Sequence, residues 1–147
     1  MKIGALAAAT GITPASIRFY ETEGLLPAPT RTDGNYRDYT DGHCERLQFI
    51  RRCRSLDMEL DEIRALLRFK DAPGEDCAGV NRLLDAHVGH VALRIRELRA
   101  LQAQLKTLRQ QCATIQDTGR CGILQELASG GEPATRSSSR HVRGVHR

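Results

Sequence analysis

Apolar positions recur with helical spacing over most of the chain and break at a few glycines and prolines. Residues 3 to 10, I-G-A-L-A-A-A-T, predict a short apolar helix ending at Gly11. Thr13 is a natural N-cap and Pro14 fits the first helical position, so a second helix runs through A-S-I-R-F-Y-E-T-E to Gly24. Two short helices around a glycine predict a helix-turn-helix. From Leu26 to Tyr39, two prolines, a D-G pair and the alternating Tyr36, Arg37 and Tyr39 predict a small hairpin, or wing, beside the second helix. Amphipathic helices are expected over 43 to 56 and about 59 to 69, the second following a Glu59 where a Ser or Thr cap is more usual. The loop D-A-P-G-E-D comes next.

A long helical pattern follows from Cys77 to about Cys112, and its positions 84, 88, 91, 95 and 98 step by four and three as in a coiled-coil seam. So long a helix cannot be buried by the remaining chain, which predicts a homodimer. Cys77, Leu84, Val91, Leu98, Leu105 and Cys112 are spaced by seven. At about 1.5 Å per residue the two cysteines are roughly 50 Å apart in one protomer. In an antiparallel pair centred between Arg94 and Ile95, Cys77 meets the other chain's Cys112 while Leu84 meets Leu105 and Val91 meets Leu98. A parallel pair satisfies the same seam but separates the thiols. Folding back of the loop 113 to 120 then adds Cys121, giving three thiolates, two from one chain and Cys77 from the opposite protomer. Such a set suits soft or borderline cations and disfavours magnesium and calcium. Each cysteine alone also reads as a small apolar residue, and that reading is preferred for Cys44 and Cys53. His87 and His90, with His141 and His146 of the tail, suggest a second, weaker site for zinc or cadmium, against the plainer reading of solvated surface histidines.

Composition narrows the class. The 147 residues include no Trp, three Phe and three Tyr, which favours helices packed through Leu, Ile, Val and Ala. No stretch approaches the roughly 18 apolar residues of a membrane span, and five cysteines, an odd number, argue against a disulfide framework. The chain therefore reads as cytoplasmic, with no membrane partner. The net charge of +4 lies in the second half: residues 1 to 75 hold 11 basic and 12 acidic groups, and the remainder 11 and 6. DNA binding by the first half must thus rest on motif and on the local cluster Arg46, Arg51, Arg52 and Arg54. No nucleophile with a paired base and no Gly-rich phosphate loop appears, so no enzyme is expected. The segment S-G-G-E-P-A-T-R-S-S-S reads as the start of a disordered tail.

The stretches I-R-F-Y-E-T-E-G-L-L-P-A-P, N-Y-R-D-Y, R-L-Q-F-I-R-R-C-R-S-L-D-M and L-D-E-I-R-A-L-L resemble the MerR family of transcriptional regulators, and Cys77 with C-x8-C and G-I-L-Q-E-L extends the likeness to residue 127. Within the family the chain is most similar to the cadmium and lead sensors of the CadR and PbrR type. The resemblance implies a mostly α fold: a winged helix-turn-helix with linking helices over 1–70, a hinge loop at 71–77, an antiparallel coiled-coil dimerisation helix at 78–112, a metal-binding loop and short helix at 113–128, and a tail at 129–147. It implies a dimer on double-stranded promoter DNA that distorts the DNA for RNA polymerase when Cd(II) or Pb(II) binds, with Zn(II) or Hg(II) as further candidates. Carried over by position, Arg18, Tyr20, Tyr36, Arg37 and Tyr39 contact DNA, helped by Thr13 and Ser16; Tyr39 also suits a role bracing the wing. Cys at position 77 is associated with sensors of divalent metals. The eight-residue loop resembles the lead type and the His-bearing tail the cadmium type. Competing readings are a thiol redox regulator using a reversible Cys112–Cys121 disulfide, and a metal-storage protein that binds no DNA.

Overall fold

A computed structural model describes residues 1–74 and 76–130. His141, His146 and nearly all of the expected tail lie outside the described residues. The described chain is mostly helical: α1 Ile3–Thr10, α2 Pro14–Thr22, strands β1 Thr30–Arg31 and β2 Arg37–Asp38, α3 Asp41–Ser55, α4 Leu60–Asp71, α5 Ala78–Arg109 and α6 Gly122–Ala128, with a single 3-10 turn at Thr118–Arg120 before α6. It divides into two compact units, Met1–Leu84 and a second beginning at Asp85. The first unit thus runs past the hinge loop, because Val80 and Leu83 of α5 pack on its core.

Local chemistry sets the first unit's elements. Thr13 caps α2 as expected, its side chain accepting from the Ser16 N–H at 3.2 Å. Gly11 makes the turn between α1 and α2 at φ 70°, a conformation that favours glycine. In the wing, β1 and β2 pair antiparallel with Thr30 opposite Asp38 and Arg31 opposite Arg37. The positive φ expected of a D-G turn falls instead on Asn35, at 63°, whose N–H bonds to the Thr32 carbonyl at 2.8 Å. Helix α3 starts at Thr40, whose backbone N–H donates to His43 Nδ1 at 3.1 Å, while His43 Nε2 faces the Pro27 carbonyl at 3.0 Å. The unusual Glu59 does cap α4, and its N–H is taken by the Glu62 carboxylate at 3.0 Å.

One apolar cluster fills this unit. Leu6 and Ile17 come from the first two helices, Leu25 and Leu26 from the turn after them, Tyr39 from the wing, Leu47, Ile50 and Cys53 from α3, Met58 from the turn after it, and Ile63, Leu66 and Leu67 from α4. Cys53 is part of that core, and Cys44 packs against it. Burial pushes the Cys53 thiol above the usual thiol range.

The second unit is built on the 32-residue α5. Its regular helix ends at Arg109, three residues short of the expected Cys112. The last turn tightens as the N–H groups of Gln110, Gln111 and Cys112 bond to the carbonyls of Thr107, Leu108 and Arg109. The seam residues are open: Val88 is 67% and Leu105 58% exposed. Among the described residues no helix is long and apolar enough to cross a membrane.

Candidate functional site

Past α5 the chain folds back on itself. The Arg109 guanidinium donates to the Cys112 carbonyl at 3.0 Å, fixing the exit from the helix. The Cys112 thiol points to the Thr114 carbonyl at 3.3 Å. Nine residues later Cys121 stands at the N-cap of α6, and the fold-back sets the backbone at Gly122 against the Gln111 carbonyl beside Cys112. Backbone N–H groups of Leu124 and, less strongly, Ile123 hold the Cys121 thiol below the usual thiol range, with a further contribution from Cys112. All five cysteines are free thiols. Two soft donors on one fold-back, one with its thiolate favoured, suit a soft or borderline metal ion.

Sequence reasoning missed the residue that allows this approach. A Cβ at Gly122 would overlap the Gln111 carbonyl oxygen, so only glycine fits without moving the backbone. The C-G pair at 121 and 122 was the available signal. Cys77 belongs to the first unit and is exposed. It caps α5: its carbonyl accepts from the Asn81 N–H at 2.9 Å, and Asp76 Oδ1 accepts from the Ala78 N–H at 3.0 Å.

The candidate nucleic-acid face comprises α2 and the wing. Arg18, Thr13 and Tyr36 are exposed, and Ser16, Tyr20 and Arg37 are half-buried. The Lys2 ammonium lies over the Tyr36 ring at 5.4 Å. Tyr39 departs from the expected set. It is 2% exposed, and its hydroxyl donates to the Glu21 carboxylate of α2. A ring in the core has no surface to offer DNA, so its role is to brace the wing. Glu21 also lies 3.9 Å from Arg37, joining α2 to both wing residues.

The basic cluster of α3 is also spent largely inside the fold. Arg46 donates to the Leu25 carbonyl at 2.6 Å and bidentately to Asp71, Arg51 donates to the Thr10 carbonyl at 2.7 Å, and Arg54 to the Met58 carbonyl at 2.9 Å. These guanidiniums fasten chain turns. Of the described histidines, His90 is exposed but His87 is buried, which corrects the solvated reading for His87. Their rings stand edge to face with centroids 6.4 Å apart.

Two family models match the chain: "MerR HTH family regulatory protein" over residues 1–70 and "MerR, DNA binding" over residues 44–108. The HTH-type transcriptional regulator ZntR homolog of Haemophilus influenzae is 49% identical over 111 residues, 76% of this chain and 82% of its own. ZntR of Escherichia coli K12 is 34% identical over 131 residues, covering 88% and 93%. Among solved structures, the transcription regulator PbrR691 from Ralstonia metallidurans CH34 in complex with lead(II) superposes with a TM-score of 0.76 at 48% identity, covering 86% of this chain and 98% of that one. The chain belongs to the MerR family and is a DNA-binding, metal-responsive transcriptional regulator, not an enzyme.

Proposed function

We propose that the chain is a Cd(II)- or Pb(II)-responsive activator, with Zn(II) and Hg(II) as further candidate effectors, acting in the cytoplasm as a homodimer on promoter DNA. The observation that carries this reading is the fold-back that sets Gly122 against the Gln111 carbonyl, bringing the Cys112 and Cys121 segments together beyond one end of a helix whose other end is capped by Cys77. The helix has 32 residues, about 48 Å at the usual rise. A third thiolate therefore comes from Cys77 of the partner subunit, in the antiparallel register that also matches Leu84 with Leu105 and Val91 with Leu98. Three thiolates suit a soft or borderline ion, and the relative solved with lead(II) supports lead as one effector.

On this reading residues 1–70 bind DNA, 71–77 form the hinge, 78–112 dimerise and 113–128 hold the metal. Arg18, Tyr36 and Arg37 meet phosphates, and Thr13, Ser16 and Tyr20 lie nearer the groove. Metal binding draws Cys77 toward the partner's loop, which turns the DNA-binding units and bends the promoter into a form RNA polymerase can use. The work is done against DNA stiffness.

Mixing two defective variants tests the shared site. Neither Cys77→Ser nor Cys112→Ser/Cys121→Ser homodimers hold a complete site, but their heterodimer holds one. Reduced, metal-free heterodimer, separated from both homodimers and titrated with Cd(II) or Pb(II), is expected to show about half the wild-type sulfur-to-metal absorption per dimer, and to regain metal-induced transcription that neither homodimer shows. No recovery in heterodimers of confirmed composition refutes the shared site. A second reading, redox control through a Cys112–Cys121 disulfide, draws on the same fold-back. It is favoured if the wild type gives no metal absorption yet changes promoter activity on oxidation.

A further inference from the structure

The geometry points to the contact between Gly79 and Phe69 as the coupling joint of the sensor, the place where movement of Cys77 enters the DNA-binding unit; this rests on the metal-responsive reading above. Cys77 caps α5, so a pull on its sulfur acts on the first helical turn. Gly79 lies in that turn with its backbone against the Phe69 ring of α4. A Cβ there would stand 2.5 Å from Phe69 Cζ and 2.6 Å from Cε1, closer than side chains approach one another. The helix therefore rides directly on the ring, with no intervening side chain to absorb a displacement.

From Phe69 the route into the domain is short. Phe69 lies in the last turn of α4, whose Ile63, Leu66 and Leu67 are locked in the core. Arg64 of the same helix donates to the Glu23 carbonyl at the end of α2 at 2.9 Å, and to Asp61 beside it. The end of α2 is thus bonded to α4, and α4 bears the first turn of α5. Close-packed contacts transmit small displacements because they cannot deform continuously. Contiguity alone does not demonstrate coupling, so the test must separate transmission from metal binding and from DNA binding.

Three quantities are measured on wild type, Gly79→Ala, Phe69→Leu and the double variant: Cd(II) affinity by thiolate absorption, promoter affinity of the metal-free dimer, and the metal-induced ratio in purified transcription. For Gly79→Ala both affinities are expected to stay within about threefold while the induction ratio falls about tenfold or more. Phe69→Leu, which vacates part of the ring's space, is expected to restore at least half of that loss in the double variant. An unchanged ratio in Gly79→Ala, a parallel loss of metal affinity, or absence of rescue overturns the assignment. If Gly79→Ala does not fold, Phe69→Leu alone decides: reduced induction with both affinities kept supports the joint, and unchanged induction removes it. A wild type that binds no metal instead defeats the functional reading itself.

Discussion

Through Leu84, twelve apolar side chains are buried in one cluster, whereas from Asp85 to Gly130 the one buried residue is His87. The first unit supplies its own core, and even its arginines find carbonyl partners within it. The second presents Val88, Val91, Ile95, Leu101 and Leu105 to the outside along one long helix. Both use helices with apolar faces, yet only one has a second layer to cover them. The apolar face of an isolated helix is an unfinished interface, and the heptad spacing of this one suits the second copy proposed above as its cover.

The largest effect is therefore expected at the seam. In the antiparallel dimer proposed above, Val91→Glu places a carboxylate against the partner's Leu98, twice in a two-fold pair. An unpaired charge in such a contact costs several kcal/mol, so the dimer dissociation constant should rise at least about 100-fold, measured by sedimentation. Helix content of the first unit should be unchanged. In contrast Ile63→Ala, in the closed core, should lower unfolding stability by about 2–5 kcal/mol and leave the subunit affinity alone. A Val91→Glu protein that remains a tight dimer would show that the seam is not the interface.

This contrast also governs what could be read in advance. Periodicity and caps were legible because they are local: Thr13, Pro14 and the sevenfold spacing each act within a turn or two of helix. The fold-back that brings Gly122 against Gln111 was legible because only a short loop separates the two cysteines. Tyr39 was not, because the alternation of the wing says that its ring differs in side from Tyr36 but not that a core waits beneath it. The arginines of α3 were hidden for the same reason: their carbonyl partners at Thr10 and Leu25 lie far away in sequence. Gly79 and Gly122 carried no periodic signal, since what they supply is space.

Tyr39 sharpens the picture of a self-sufficient first unit. Burial, then the hydrogen bond to Glu21, raises its pKa to about 12 from the usual 10.0. The folded state holds the phenol proton more tightly than the unfolded chain does. This contribution is complete below about pH 10 and is lost as pH rises toward 12, amounting to at most about 3 kcal/mol. Urea midpoints measured from pH 8 to 12 should fall more steeply for wild type than for Tyr39→Phe. Equal slopes would mean that the buried hydroxyl is not what stabilises the wing.

In the second unit a comparable substitution should act on ligand affinity instead of folding. Gly122→Ala forces the backbone away from the Gln111 carbonyl and carries Cys121 away from Cys112. On the proposed three-thiolate site, displacing one thiolate should weaken Cd(II) binding about tenfold or more, with promoter affinity of the metal-free protein unchanged. Wild-type affinity in Gly122→Ala would show that the loop has other ways to bring its thiols together.

The smallest effect concerns the edge of the first unit. Asp71 receives the Arg46 guanidinium at 2.8 Å, and that hydrogen bond holds its carboxyl below the usual carboxylate range. A depressed folded-state pKa means stability that is present above the unfolded value, about 3.9, and is lost as pH falls through the folded one. Asp71 is more than half exposed, so solvent screening limits the contribution to less than about 1 kcal/mol. Arg46 keeps its bond to the Leu25 carbonyl when Asp71 is neutralised, so the helix ends stay fastened. Between pH 5 and 2.5 the urea midpoint of Asp71→Asn should converge on that of wild type from slightly below. A constant gap down to pH 2.5 would place the stabilisation in the shape of the pair and not in its charge.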